Sequence, residues 1–205
     1  VEGPAAAALL ALLERARDQG MLGPGPVEDH LVHARSWAGL LDPLPPRILD
    51  LGSGAGVPGL VFAIDHPEST VTLLDARERR GEWLAGAAEE LGLTSRVEVV
   101  VGRAEVVART ARREGFDLVV ARGFGSPAVT AECATGFLHD GGRLSVSEPP
   151  DGGETRWREE ILADLGLGPP RFVRGTAGFV ILRKHGPTDS RWPRRDGVPQ
   201  HRPLW

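Results

Sequence analysis

The sequence predicts an α/β fold: a seven-stranded, mostly parallel sheet, helices on both faces, and an antiparallel hairpin at one end. Three observations carry this. Between residues 47 and 147, short runs rich in Val, Ile and Leu alternate with stretches of helical character. Strands that read as continuous apolar runs are buried on both faces, as in parallel sheets. The first such run, Ile48-Leu49-Asp50-Leu51, leads into a glycine-rich loop, the usual meeting point of an open sheet with a ligand. The last two runs have only Ala177 and Gly178 between them, too little chain for a crossover, so they form a hairpin.

The elements follow in order. Residues 5–19 form an amphipathic helix with Leu9, Leu12, Leu13 and Ala16 on one face. Residues 20–26 are rich in Gly and Pro and break it. A second helix over 27–42 ends before Pro43, Pro45 and Pro46. Strands are expected at 47–51, 70–75, 97–101, 117–121, 142–147, 171–176 and 179–184. Helices are expected at 58–65, 77–91, 104–114, 127–137 and 154–165. The division is an N-terminal helical extension at 1–46, a ligand-binding domain at 47–184, and an extended carboxyl-terminal tail at 185–205.

Composition narrows the function classes. At 205 residues the chain suits one domain with a short extension. A lone cysteine, Cys133, excludes an internal disulfide, fits a reducing cytoplasm, and reads as a small buried apolar residue. Neither Cys-x-x-Cys nor His-Glu-x-x-His occurs, so no metal site is expected. His30 and His33 are spaced to share a helix face, but no third ligand accompanies them. The apolar stretch 5–13 is too short to span a membrane. No basic segment precedes it, so no signal peptide is expected either. Residues 171–205 hold eight Arg and Lys against Asp189 and Asp196, a net charge of +6, which leaves −10 on the rest. The tail is thus a candidate for contact with a nucleic acid, carried by Arg191, Arg194, Arg195 and Arg202; a plainly solvated tail is the other reading. Trp192 and Trp205 either stack on bases or pack back on the domain.

The glycine loop runs Asp50-Leu51-Gly52-Ser53-Gly54-Ala55-Gly56-Val57-Pro58-Gly59. Gly54-x-Gly56-x-x-Gly59 also satisfies the dinucleotide fingerprint, which is weak alone. Asp50 argues against a dinucleotide, because a carboxylate beside the loop repels a diphosphate. S-adenosylmethionine has no phosphate and carries a positive sulfonium and amino group, which a carboxylate favours. The loop therefore reads as a cradle for that cofactor, with Asp50 either facing it or tying the loop to itself.

Other strand ends add to the site. Asp75 closes the second strand, where its two oxygens match a vicinal diol such as a ribose. A helix N-cap is its alternative role. Ala104 and Glu105 follow the third strand in Gly102-Arg103-Ala104-Glu105, where the backbone either borders an adenine or simply starts a helix with Glu105 favourable to its dipole. Arg122 follows the fourth strand in Ala121-Arg122-Gly123-Phe124-Gly125, on the rim facing methyl transfer, where it orders substrate or cofactor; a surface arginine in a salt bridge is the other reading.

These stretches resemble the ribosomal RNA small-subunit methyltransferase G family, the RsmG or GidB-type enzymes. The resemblance rests on residues 50–60, Val71-Thr72-Leu73-Leu74-Asp75-Ala76-Arg77, Gly102-Arg103-Ala104-Glu105 and Ala121-Arg122-Gly123. It implies a Rossmann-like class I methyltransferase fold, S-adenosylmethionine as cofactor, and transfer to N7 of a guanosine in 16S ribosomal RNA. Gly52 and Val57 would then contact the cofactor, with Gly54 and Gly56 shaping the loop. Ala104 and Glu105 would frame its adenine, and Arg122 would line the catalytic site. N7 has a free lone pair and needs no general base, so catalysis would rest on orientation and electrostatics.

The chain departs from the family pattern at His33-Ala34-Arg35-Ser36-Trp37 and at Ser147-Glu148-Pro149-Pro150. At the second, an anion stands where the family carries a lysine. The expectation is that methyl transfer to a base persists while substrate choice has drifted. A cofactor-binding or RNA-binding paralogue without transfer activity is the alternative.

Overall fold

The computed structural model describes residues 4–23, 25–149, 153–175 and 177–205. The strands are β1 Arg47–Leu51, β2 Thr70–Asp75, β3 Val97–Val101, β4 Phe116–Arg122, β5 Leu138–Glu148, β6 Arg171–Arg174 and β7 Gly178–Arg183. They form one sheet in the order β3-β2-β1-β4-β5-β7-β6. Strands β1 to β5 are mutually parallel. β7 runs antiparallel between β5 and β6. This is the Rossmann-like α/β sheet that the sequence predicts, hairpin included.

Side-chain alternation explains the layering. Ile48, Val71, Leu118, Val120 and Phe179 point to one face. There they meet α1 Pro4–Asp18, α2 Val27–Leu41, α3 Gly59–Asp65 and α4 Glu78–Glu90. Leu49, Leu74, Val119, Ala121 and Val180 point to the other face. There they meet α5 Ala104–Val107, α6 Pro127–Thr135 and α7 Glu159–Asp164. Both faces are covered, which is why the strands read as continuous apolar runs. The two N-terminal helices share their core with the sheet. Trp37 of α2 is fully buried between Phe62 and Phe179, and its indole N–H donates to Ser145 Oγ of β5 at 2.8 Å. That anchor fixes the direction of α2 over the sheet. Among the described residues no helix is long and apolar enough to cross a membrane.

β1 has β2 on one side and β4 on the other, while the chain moves outward in both directions. The topology therefore opens a crevice beyond the carboxyl ends of β1 and β4, where such sheets bind ligands.

Three segments differ from the sequence expectation. The helix expected over 104–114 ends at Val107. Thr110 Oγ1 donates to the Val107 carbonyl at 2.7 Å, and Glu114 takes a positive φ of 52°. A side-chain hydroxyl competing for a backbone carbonyl favours a turn over continued helix. The helix expected over 154–165 divides into a 3₁₀ turn at Glu154–Arg156 and α7. Trp157 between them is extended and buried, and donates to Glu148 Oε1 at 3.3 Å. β5 begins at Leu138, earlier than expected. Thr176, the end of one expected strand, and Pro150, in the departing segment, lie outside the described residues.

The segment 185–205 is a strap rather than a free tail. It holds a short helix, α8 Val198–His201, that packs against α6. Arg113 donates to the carbonyls of Thr188, Asp189 and Trp192 at 2.9–3.0 Å. The backbone N–H and guanidinium of Arg194 donate to both carboxylate oxygens of fully buried Glu132, at 2.6–2.8 Å. Both tail tryptophans pack back: Trp192 donates to the Asp164 carbonyl and Trp205 to the Arg156 carbonyl.

Candidate active site

The glycine loop turns sharply out of β1. Gly52 has φ 75°, and a Cβ there would lie 2.7 Å from Phe124 Cδ2. Gly59 has no such φ but no space either: a Cβ would sit 2.4 Å from Leu73 Cδ2 and 2.7 Å from Asp50 Oδ2. This is the close helix-to-strand approach that such a loop requires of its last glycine. Ser53 Oγ donates to the Asp50 carbonyl at 2.8 Å and locks the turn.

Asp50 lies under the loop, 1% exposed, where its Oδ2 accepts the Gly59 N–H at 2.8 Å. The structure thus gives it the loop-tying contact. Burial pushes its carboxyl up to about 7; the Gly59 N–H and the Arg122 charge oppose this, and Asp75 adds to it. Unfolded, the same carboxyl ionises near 3.8. Between those values the unfolded chain has lost a proton that the folded chain keeps. Stability therefore falls as pH rises through that window and levels off above about 7. Asp50→Asn keeps an acceptor for Gly59 and has nothing to ionise. Relative to the parent it should gain at most about 4 kcal/mol across the window, read by urea unfolding at a series of pH values. Parallel profiles for the two proteins would show that Asp50 is ionised in the fold.

Asp75 is buried at the end of β2. Its Oδ2 accepts the Gly54 N–H at 3.1 Å and Arg80 at 3.2 Å; its Oδ1 accepts the Arg77 N–H at 3.0 Å. It joins the glycine loop to the start of α4, so the N-cap-like contact and a place at the crevice coexist. Across the crevice Glu105 is buried, and its Oε1 accepts from Arg103 at 2.8 Å and from the Gly197 N–H at 2.9 Å. Burial raises the Glu105 carboxyl, but its own backbone N–H, Arg103 and Gly197 outweigh that and hold it below the usual range.

Between them lies a cavity of about 170 Å³, lined by Gly52, Leu74, Asp75, Ala76, Arg77, Arg80, Gly102, Arg103, Ala104, Glu105, Gly123, Phe124, Cys133 and Gln200. Of the residues singled out from sequence, Gly52, Asp75, Ala104 and Glu105 line it. Asp50, Gly54, Gly56, Val57 and Arg122 form the loop and the adjoining rim instead. The volume is below that of most cofactor sites, and Arg77, Arg80, Arg103 and Gln200 are the long side chains around it. Arg80, Phe124 and Gln200 carry no periodic or motif signal for this position, apart from Phe124's place after Arg122. Cys133 is buried, and burial drives its thiol far above the usual range, so it is no nucleophile.

Beside the cavity, α2 brings His30 and His33 to the ends of β4 and β5. Arg122 is 3.1 Å from His30 Nδ1, and Ser147 Oγ is 3.0 Å from His33 Nε2. Burial lowers both imidazoles and the Arg122 charge lowers them further. They are neutral near pH 7, so His30 accepts from the guanidinium. Burial lowers Arg122 as well, against the attraction of Asp50. Among the described residues no group of three or more His, Cys, Asp or Glu is placed to hold a metal.

Glu148, the anion that sets this chain apart, is turned inward. Its side chain is 7% exposed, with Arg156 at 2.5 Å and the Trp157 indole N–H at 3.3 Å. An arginine neutralises it, so it presents no bare negative charge to an approaching phosphate. The repulsion expected of Glu148 is thereby offset, while the departure at His33–Trp37 and the missing lysine stand.

A second cavity, about 780 Å³, lies on the strap and includes Arg109, Arg191, Arg194, Arg195, His201 and Arg202 in its lining. It is larger but less suited to the cofactor, since five arginines line it and no residue of the glycine loop does.

A family model described as rRNA small subunit methyltransferase G (GidB) matches residues 26–147. The ribosomal RNA small subunit methyltransferase G of Moorella thermoacetica is 36% identical over 172 residues, covering 78% of this chain and 71% of that protein. That of Deinococcus radiodurans is 38% identical over 168 residues, covering 78% of this chain and 66% of that protein. Among solved structures, the O-methyltransferase from Bacillus cereus in complex with SAH superposes with a TM-score of 0.65 at 18% identity, covering 87% of this chain and 90% of that one. At that identity the superposition speaks for the fold alone.

Proposed function

The chain belongs to the rRNA small subunit methyltransferase G family, and from that membership we propose that it methylates N7 of a guanine in 16S rRNA. Its class is S-adenosylmethionine-dependent methyltransferase. The observation that carries the reading is the crevice at the ends of β1 to β4, where buried Asp75 and Glu105 line one cavity with Gly52 of the glycine loop. The residues present suit this cofactor: carboxylates line the cavity beside the loop, and a diphosphate there would meet Asp75 and Glu105.

S-adenosylmethionine supplies an activated methyl group on its sulfonium. The chain's part is placement. Asp75 accepts the ribose hydroxyls, displacing Arg80. Backbone groups at Ala104 and Glu105 border the adenine. Arg122, held by His30, attracts the cofactor carboxylate or an RNA phosphate at the rim. Guanine N7 presents its own lone pair, so no side chain has to remove a proton, and neutral His30 and His33 leave the rim charge to Arg122.

The strap adds a cationic surface for the RNA backbone. Arg194 is spent on Glu132, and Arg191 pairs with Asp189. Arg195 and Arg202 have no salt-bridge partner among the described residues and are exposed. Arg195→Ala with Arg202→Ala should weaken RNA binding and reduce the slope of log affinity against log salt by up to about 2. An unchanged slope would leave the strap out of the RNA interface. An rRNA substrate puts this work in the cytoplasm.

Complementation tests the substrate. Expressed in a strain lacking the family enzyme, the chain should restore 7-methylguanosine to 16S rRNA with Glu148 unaltered. Retained cofactor binding without restoration would point to a different target.

A further inference from the structure

The strap reaches the cofactor cavity itself. The Gly197 N–H donates to Glu105 Oε1 at 2.9 Å, and Asp196 pairs with Arg103 at 3.2 Å. Three residues on, the exposed side chain of Gln200 lines the same cavity as Ala104 and Glu105. Its Oε1 lies 3.9 Å from the point where a Cβ on Gly125 would stand, which puts the carboxamide on the β4–α6 side, across from the end of β3. The backbone that carries it is fixed: α8 packs on α6, and the Arg194–Glu132 pair holds the chain six residues before. Glu105 spends Oε1 on the strap and Arg103, which leaves it one acceptor oxygen and no donor for a ligand. The Gln200 carboxamide has both a donor and an acceptor, and no hydrogen bond engages them among the described residues.

We propose that the carboxyl-terminal strap is the outer wall of the cofactor pocket and that Gln200 reads the purine edge of the adenine. This rests on the cofactor reading above. A carboxamide meets adenine with two hydrogen bonds, accepting from the N6 amino group and donating to N7. Hypoxanthine has an oxygen at position 6 and cannot donate there. The strap thus selects an adenosyl ligand, and it orders the β3 end through Glu105.

Calorimetry with S-adenosylhomocysteine and its inosine counterpart, S-inosylhomocysteine, tests this on the full chain. The parent should bind the adenosyl ligand about 5- to 100-fold more tightly than the inosyl one, the range for a two-bond base contact. Gln200→Ala should lose most of that ratio by weakening the adenosyl ligand, with its melting temperature unchanged because the side chain is exposed. Hydrogen exchange at 194–201 should slow when S-adenosylhomocysteine binds. If the parent binds neither ligand, the cofactor reading itself fails. If the parent binds and Gln200→Ala keeps both affinity and ratio, the adenine role is overturned. Unchanged exchange in the strap would overturn its role as a wall.

Discussion

Replacing Arg194 by alanine should cost about 3–5 kcal/mol of folding stability, the scale for a buried charge stripped of its partner. Glu132 is fully buried in α6, and Arg194 supplies three of its hydrogen bonds, at 2.6–2.8 Å. The substitution leaves the backbone N–H contact and removes two charge-assisted ones. Thermal melting should show a fall of roughly 6–20 °C for a chain of this length. The double change Glu132→Met with Arg194→Met should recover most of the loss, since the pair offsets its own desolvation and adds little beyond it. A loss below about 1 kcal/mol for Arg194→Ala, the scale of a solvent-exposed pair, would mean that the strap is detached in solution.

The second large effect is on ligand affinity. Asp75→Ala should weaken S-adenosylhomocysteine by about 1–3 kcal/mol, because the proposed ribose acceptor is gone. The loop also loses its tie: Gly54 and Arg77 lose an acceptor for their N–H groups, and Arg80 loses its ion pair. Asp75→Asn keeps one acceptor oxygen and should fall between the two. Calorimetry reads the difference directly. Equal affinities for the parent and Asp75→Ala would remove Asp75 from the ligand contact and leave it as a loop tie only.

Much of the fold was legible because it is local. β1, β2 and β3 coincide with the apolar runs at 47–51, 70–75 and 97–101, since strands buried on both faces leave an uninterrupted signature. The hairpin followed from chain length alone at Ala177 and Gly178. Departures came where a side chain competes with the backbone or a tertiary contact overrides propensity. Thr110 stops a helix by taking the Val107 carbonyl, and Trp157 interrupts another by reaching Glu148.

The candidate site was legible only in part: Gly52, Asp75, Ala104 and Glu105 line the cavity, while Asp50, Gly54, Gly56, Val57 and Arg122 do not. Glycines and strand-end carboxylates announce a ligand crevice because the backbone there has few alternatives. Contacts between distant segments carry no period. Nothing in the sequence pairs Arg194 with Glu132, Glu148 with Arg156, or Gly197 with Glu105. The charge of the tail was visible, but which arginines were already satisfied was not. Glu148 read as a repulsive anion because its neutralising partner lies eight residues on, in a segment expected to be helical.

The central claim is that the crevice beyond β1 to β4 is an S-adenosylmethionine site. Calorimetric titration of the full chain with S-adenosylmethionine, S-adenosylhomocysteine and NADH tests it most directly. Both sulfur ligands should bind with one site per chain, and NADH should give no saturable heat, because its diphosphate would meet Asp75 and Glu105. Saturable binding of NADH with no binding of either sulfur ligand would contradict the account.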